Sequence, residues 1–250
     1  MKIKNILVSQ PQPVELEKSP YGDLTKKFNV NVVFRKFIKI EGIPAKDFRK
    51  DRINILDCTA VIFTSRNAVD HFFRICKEMR IEVPDTMKYF SISESTAYYL
   101  QKYVQYRKRK VFHSKENFAN LAELIKKHKT EKFLLPCSDI HKQEIPKMLE
   151  ENKILYKKAI IYKTLASDLS DIDITKYDML VFFSPSGIKS LFKNFPKFVQ
   201  NSTVIAAFGP TTAKAVTDAG LTLNISAPSK TAPSMTMAIE QYLQAEMKKK

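Results

Sequence analysis

The sequence predicts an α/β fold with two doubly wound parallel sheets, and three observations carry that expectation. Strand-like and helix-like segments alternate along nearly all of the 250 residues. The length exceeds that of one ordinary domain, so one large domain or two medium ones of roughly 120 residues each are expected. Five times an apolar β-type run ends in a short corner bearing a hydroxyl or a glycine, and a helical pattern follows at once. These are AVIFTS before RNAVDHFF, KYFSIS before ESTAYYL, KFLLPCSD before HKQEIPKML, MLVFFSPSG before IKSLF, and TVIAAFG before PTTAKAV. Each corner is a helix N-terminus with unpaired backbone N–H groups, placed where a parallel strand ends, and can receive an anion.

Lys4 to Pro11 reads as a first buried strand, and Ser19 caps a short helix running through Phe28. Val30 to Ile43 follows as an extended run longer than an ordinary strand, which suits a ribbon leaving one domain for another. Pairs then succeed one another: strand 60–65 and helix 66–81, strand 88–93 and helix 95–104, strand 111–114 and helix 117–129, strand 132–138 and helix 141–152. Val69, Phe72, Phe73, Cys76 and Met79 form one stripe of helix 66–81, as a helix covering a sheet requires. Ile154 to Leu169 is a second over-long extended run, and DLSDIDITKYD at 168–178 reads as an acidic loop. Strand 179–184, helix 186–195, strand 203–208, helix 211–219, strand 223–227 and a helix from Ser234 to about Lys248 complete another doubly wound set. Residues 1–30 are too few for a domain, so they join the sheet of 170–250 and make the domain between the ribbons an insertion.

Hydrophobic content of 44% with five glycines excludes disorder and low complexity. A formal charge of +16 attracts polyanions at long range. The basic residues are scattered over helix faces, with runs only at Tyr106–Lys110 and Lys248–Lys250, so the charge reads either as a solvated surface bias or as help for an acidic ligand. Cys58, Cys76 and Cys137 are far apart and odd in number, which suggests neither disulfides nor zinc and fits a reducing cytoplasm. The apolar run near the N-terminus is too short for a secretory core, and no stretch approaches a membrane span.

His71, His113, His128 and His141 lack partners at metal-ligand spacing, so no metal is expected. There is no GxSxG elbow, no phosphate-binding GxxxxGK[ST] loop and no GxGxxG after the first strand, where the chain reads Ser9-Gln10-Pro11-Gln12-Pro13. What remains are Ser, Thr, Gly and backbone donors, which bind carboxylates or phosphates without supplying a strong nucleophile. Thr64, Ser65 and Arg66 start one helix; Ser184, Pro185, Ser186 and Gly187 another; Gly209, Pro210, Thr211 and Thr212 a third. Ser93 and Ser138 occupy the remaining two corners. Any one of them reads equally as an ordinary cap; together, beyond the carboxyl ends of strands, they suit an anionic ligand.

ILVSQP at the first strand, VIFTSRNAV, IIYKT, VFFSPSGIKSLF, and AAFGPTTAKAV followed by APSKTAPSMTMAI occur in the order and spacing of uroporphyrinogen-III synthases. The resemblance covers nearly the whole chain. It implies two flavodoxin-like parallel-sheet domains joined by a two-stranded β linker, the first domain discontinuous, with the active site in the cleft between them. The bounds expected are 1–34 with 168–250 for the discontinuous domain, 44–153 for the inserted domain, and 35–43 with 154–167 for the linker. The reaction implied is that of a hydro-lyase: cyclisation of hydroxymethylbilane, a linear tetrapyrrole octacarboxylate, with loss of water and inversion of ring D. No cofactor is implied, and neither nucleic acid nor membrane; a cytoplasmic monomer is expected, with transient contact to the bilane-producing enzyme.

Tyr162 in IIYKT matches the family's cleft-facing tyrosine, whose hydroxyl protonates or orients the departing hydroxyl. Its plainer reading is a phenol that anchors the linker ribbon. Thr64, Ser65, Ser184, Ser186, Gly187, Gly209, Thr211 and Thr212 match the family's corners for substrate carboxylates. The chain departs from the family pattern at Gln10, where many members carry arginine, and at Ser93, where members often carry glycine. A competing class is a non-catalytic two-lobed binding or regulatory module for an acidic small molecule, and a nucleic-acid module rests on charge alone.

Overall fold

The computed structural model describes residues 3–114, 118–141 and 143–248. Positions 117 and 142, assigned above to helices, and Lys249 and Lys250 of the basic run lie outside them. The chain divides into two compact units, Met1–Lys39 with Leu165–Lys250, and Ile40–Thr164.

In the first unit β1 (Asn5–Val8) is followed by helix α1 (Pro20–Phe28) and β2 (Asn31–Phe34). Ser19 caps α1, its Oγ accepting from Gly22 N at 3.3 Å. The next segment, β3 (Ile38–Gly42), lies in the other sheet. The single ribbon expected over 30–43 is therefore two strands, broken at 35–37. The break has a physical cause: the Phe37 ring is fully buried against Phe182 in the first unit's core, and its carbonyl accepts from Ser167 N and Ser190 Oγ.

The second unit continues with α2 (Ala45–Phe48), a one-turn helix that periodicity does not reveal because only Phe48 in it is buried. Then come β4 (Ala60–Phe63), α3 (Arg66–Met79), β5 (Lys88–Ser91), α4 (Glu94–Tyr99), β6 (Val111–His113) and α5 (Phe118–Lys127). β7 (Phe133–Ser138), α6 (Glu144–Glu151) and β8 (Tyr156–Ala166) close it. The sheet order is β3-β8-β7-β4-β5-β6, with β8, β7, β4, β5 and β6 running parallel. Val61, Phe63, Leu134, Ala159 and Ile161 pack on α3, whereas Ala60, Ile62, Phe133 and Leu135 pack on α5 and α6. This alternation is the period-two pattern of strands buried on both faces.

Back in the first unit, β9 (Met179–Phe182), α7 (Pro185–Asn194), β10 (Val204–Phe208), α8 (Pro210–Asp218), β11 (Ile225–Ala227) and α9 (Met235–Lys248) follow. The loop expected at 168–178 contains one 3₁₀ turn, Ile174–Lys176, and sends Leu169 and Ile174 into the core. The parallel order is β11-β10-β9-β1-β2. Ile6, Val8, Met179 and Val181 face α1 and α9, and Leu7, Leu180, Phe182 and Ile205 face α7 and α8. Both units are thus mixed α/β with parallel-dominated, doubly wound sheets, as the sequence predicts.

Candidate active site

In the second unit the carboxyl ends of β4, β7 and β8 border a cavity of about 290 Å3 lined by Thr64, Ser65, Ser138 and Tyr162, together with His141 and Glu144. Four of the expected site residues therefore meet in one place. A hollow of about 370 Å3 opens at the opposite, amino ends of β7 and β8 and contains none of them. Ligands of parallel α/β sheets bind beyond the carboxyl ends, which makes the smaller cavity the candidate site.

Tyr162 owes its aim to a β-bulge. Cys137 pairs with Ile160 and Ser138 with Tyr162, so Ile161 is an extra residue on β8. Strict alternation would turn Ile161 and Tyr162 to opposite faces; the bulge lets both pack on the α3 side. The phenol ring stacks on His71 of α3 at 5.1 Å and an interplanar angle of 20°. Its hydroxyl lies 3.3 Å from Ser65 Oγ. Burial raises the phenol pKa above its ordinary value and the Ser65 contact only partly offsets this, so the hydroxyl is protonated at neutral pH and available as a donor. Ser65 also caps α3, accepting from Ala68 N at 3.1 Å.

His71 is held neutral. Burial, and then the Arg74 charge, lower its pKa. Arg74 Nε–H donates to His71 Nδ1 at 3.1 Å, which places the imidazole proton on Nε2. His141 has the opposite arrangement: its Nδ1 faces Ser138 O at 2.8 Å and so carries the proton, leaving Nε2 to face the Gln143 amide. The sequence offers both histidines only as residues without metal-ligand spacing. For His71 spacing gives no sign, because it meets the site through Tyr162 on a different element.

The β7 corner departs from the expected pattern. No helix begins at once after it; α6 starts only at Glu144, and its N-cap Gln143 makes no side-chain cap. Instead Ser138 Oγ donates to Asp139 Oδ1 at 2.7 Å, while Asp139 accepts from Ile140 N and Thr164 N. Burial works against the Asp139 charge, yet these hydrogen bonds outweigh it and hold its carboxyl below the ordinary range. Ser138 thus spends its hydroxyl proton within the turn, beside an anion. It shapes the turn and lines the cavity.

Ser93 caps the short α4 through Thr96 N and also contacts the hydroxyls of Ser95 and Thr96; Arg66 lies 5.4 Å over the Tyr99 ring. Neither is among the residues lining the cavity. The structure thus gathers Thr64, Ser65, Ser138 and Tyr162 and leaves Ser93 and Arg66 toward α4.

In the first unit Ser184 caps α7, its Oγ and carbonyl both accepting from Gly187 N, with Pro185 at the first turn. A Cβ on Gly187 would meet the Phe182 ring at 3.2 Å and Ser9 Oγ at 3.8 Å, which brings the β1 corner beside the β9 corner. Ser186 follows Pro185 in the same first turn. The β10 corner is different. Gly209 has φ +85°, a left-handed conformation that favours glycine, and a Cβ there would meet nothing within 4 Å. No side chain caps α8. Pro210 lacks an N–H, so the first-turn amides that remain are those of Thr211, exposed, and Thr212, whose side chain is buried. This corner presents first-turn backbone amides without a side-chain cap. Among the described residues no group of three or more His, Cys, Asp and Glu is arranged to hold a metal ion, and no helix is long and apolar enough to cross a membrane.

The family model described as uroporphyrinogen-III synthase HemD matches residues 19–237. The fold is similar to that of uroporphyrinogen-III synthetase from Helicobacter pylori, with 18% identity, coverage of 97% of this chain and 100% of that one, and a TM-score of 0.60. It is similar also to a mutant uroporphyrinogen III synthase from Thermus thermophilus, with 13% identity, coverage of 98% and 99%, and a TM-score of 0.58. A comparison with curated proteins finds no match. A family match over most of the length, on a fold shared with these enzymes, leads to one conclusion: the chain belongs to the uroporphyrinogen-III synthase family, lyase-type cyclases of tetrapyrrole biosynthesis.

Proposed function

We propose that the chain closes hydroxymethylbilane, the substrate its family implies, to uroporphyrinogen III with loss of water and inversion of ring D. The observation that carries this reading is the protonated, buried Tyr162 hydroxyl at the wall of the second unit's cavity, 3.3 Å from Ser65. In the proposed step Tyr162 protonates the departing terminal hydroxyl, which leaves as water and gives an electrophilic azafulvene. The substituted carbon of ring D attacks it to form a spiro intermediate. The bond from that carbon to its original bridge then breaks, giving a second azafulvene, and the freed bridge carbon is attacked by the unsubstituted α carbon of ring D, which inverts the ring. The proton this carbon loses as the ring regains aromaticity restores the phenol, so the enzyme ends unchanged.

The free bilane closes unaided to the uninverted isomer, so the work of the protein is to impose a shape. Acetate and propionate carboxylates are assigned to the amides of Thr211 and Thr212, to the first turn of α7 at Ser184, Ser186 and Gly187, and to Thr64 and Ser65. One carboxylate at a helix N-terminus is worth on the order of 1 kcal/mol, so several contacts are needed for micromolar affinity. The charge of +16 speeds the arrival of a polyacid. We assign the protein to the cytoplasm as a monomer that requires no cofactor, binds no nucleic acid and touches the bilane-producing enzyme transiently. Purified protein is incubated with freshly generated hydroxymethylbilane, and the oxidised products are separated by isomer. Isomer III is expected; isomer I alone refutes the reading.

A further inference from the structure

Arg74 of α3 makes more contacts than a surface arginine needs. Besides donating Nε–H to His71, it gives Nη1 to Glu78 Oε1 at 2.6 Å and Nη2 to two carbonyls, Ile43 O at 2.9 Å and Ile161 O at 3.0 Å. Ile161 is the extra residue of the β8 bulge, directly before Tyr162. Its carbonyl also accepts from Ile43 N at 3.0 Å. One guanidinium therefore grips the backbone that aims Tyr162 and, through His71, the ring against which the phenol stacks. Gly42 completes the arrangement: a Cβ there would lie 2.7 Å from the Arg74 guanidinium, so any larger residue obliges the fork to shift.

We propose that Arg74, with His71 as its relay, is the positioning residue for Tyr162, locking the β8 bulge and the phenol plane so that the hydroxyl stays at Ser65 and the cavity. A planar fork with several donors is required, because an ammonium offers no fixed set of directions toward one imidazole and two carbonyls. The proposal rests on the reading of Tyr162 as a participant in the reaction, and its test separates the two.

The protein is prepared with ring-13C tyrosine, the Tyr162 signal is identified by its loss in Tyr162→Phe, and turnover is measured on the same samples. Arg74→Gln removes the fork; Gly42→Ala displaces it while retaining Arg74, His71 and Tyr162, and answers the question even if Arg74→Gln does not fold. In both variants the Tyr162 signal should shift or broaden. kcat should fall about ten- to a hundredfold, the scale of a small misplacement of a reacting group, with KM changed less than about twofold. Placed in the Tyr162→Phe background, Gly42→Ala should cost little further activity, because the two act through one group. An unchanged Tyr162 signal in Gly42→Ala, or an activity loss that persists in full without the phenol, overturns the proposal. A displaced signal in both variants together with full turnover in Tyr162→Phe upholds the positioning and refutes the catalytic reading of Tyr162.

Discussion

The corner after β10 and the corner after β7 arise from one sequence pattern, an apolar strand followed by a small residue, yet they offer a ligand opposite charges. At Gly209 the missing side chain leaves the first-turn amides of α8 uncapped, a site of positive potential. At Ser138 the hydroxyl and two backbone amides gather round Asp139, whose lowered pKa keeps it anionic. A strand-to-helix corner is therefore not an anion site by virtue of its position alone; what separates these two is whether a local carboxylate has already taken the free N–H groups.

The largest effect should come from the part of the molecule that acts rather than holds. Tyr162→Phe keeps the ring and its stack on His71 but removes the proton donor, so kcat should fall about a hundredfold or more while KM stays near its original value. Steady-state kinetics with bilane checks this; a raised KM at constant kcat assigns Tyr162 to binding instead. Gly209→Ala should show the reverse signature. At φ +85° and ψ 149° a side chain is strained by about 1–3 kcal/mol, and relief of it turns the amides away, so KM should rise roughly tenfold with kcat little changed.

How far these differences could be read in advance depends on their range along the chain. Both sheets, the strands and the hydroxyl caps at Ser65, Ser93 and Ser184 follow from local periodicity and from a side chain bonding three residues ahead. The break at 35–37 was signalled by the charged pair Arg35-Lys36 inside an apolar run, but its cause, burial of Phe37 against Phe182, is a contact 145 residues distant and has no local mark. The β8 bulge is equally silent, since IIYKTLA holds no glycine or turn residue to mark it and only pairing with Ser138 reveals the extra residue. At Ser138-Asp139 the dipeptide favours a turn, and the helix expected from 141 begins only at Glu144.

Smaller effects sharpen the contrast further. Ser184→Ala removes one cap of α7 and should cost about 1 kcal/mol, a Tm shift of about 2–4 °C in calorimetry. No such loss is available at Gly209, where no side chain caps the helix. The smallest effect concerns pH. Asp139 has a depressed folded-state pKa, so its stabilisation is present above the ordinary aspartate value of about 4 and is lost as pH falls through the folded value. The Tm of wild type should exceed that of Asp139→Asn at pH 7, and the gap should close as pH drops below about 4, modestly because the group is exposed. A gap that is constant with pH assigns the difference to packing.

The contrast between the two corners can be observed directly by titrating 15N-labelled protein with the stable octacarboxylate uroporphyrin III and following backbone amide shifts. If uncapped helix starts hold the carboxylates, the amides of Thr211 and Thr212 move with saturation and that of Ile140, bound to Asp139, stays in place. Movement of Ile140 with Thr211 and Thr212 unchanged contradicts the account.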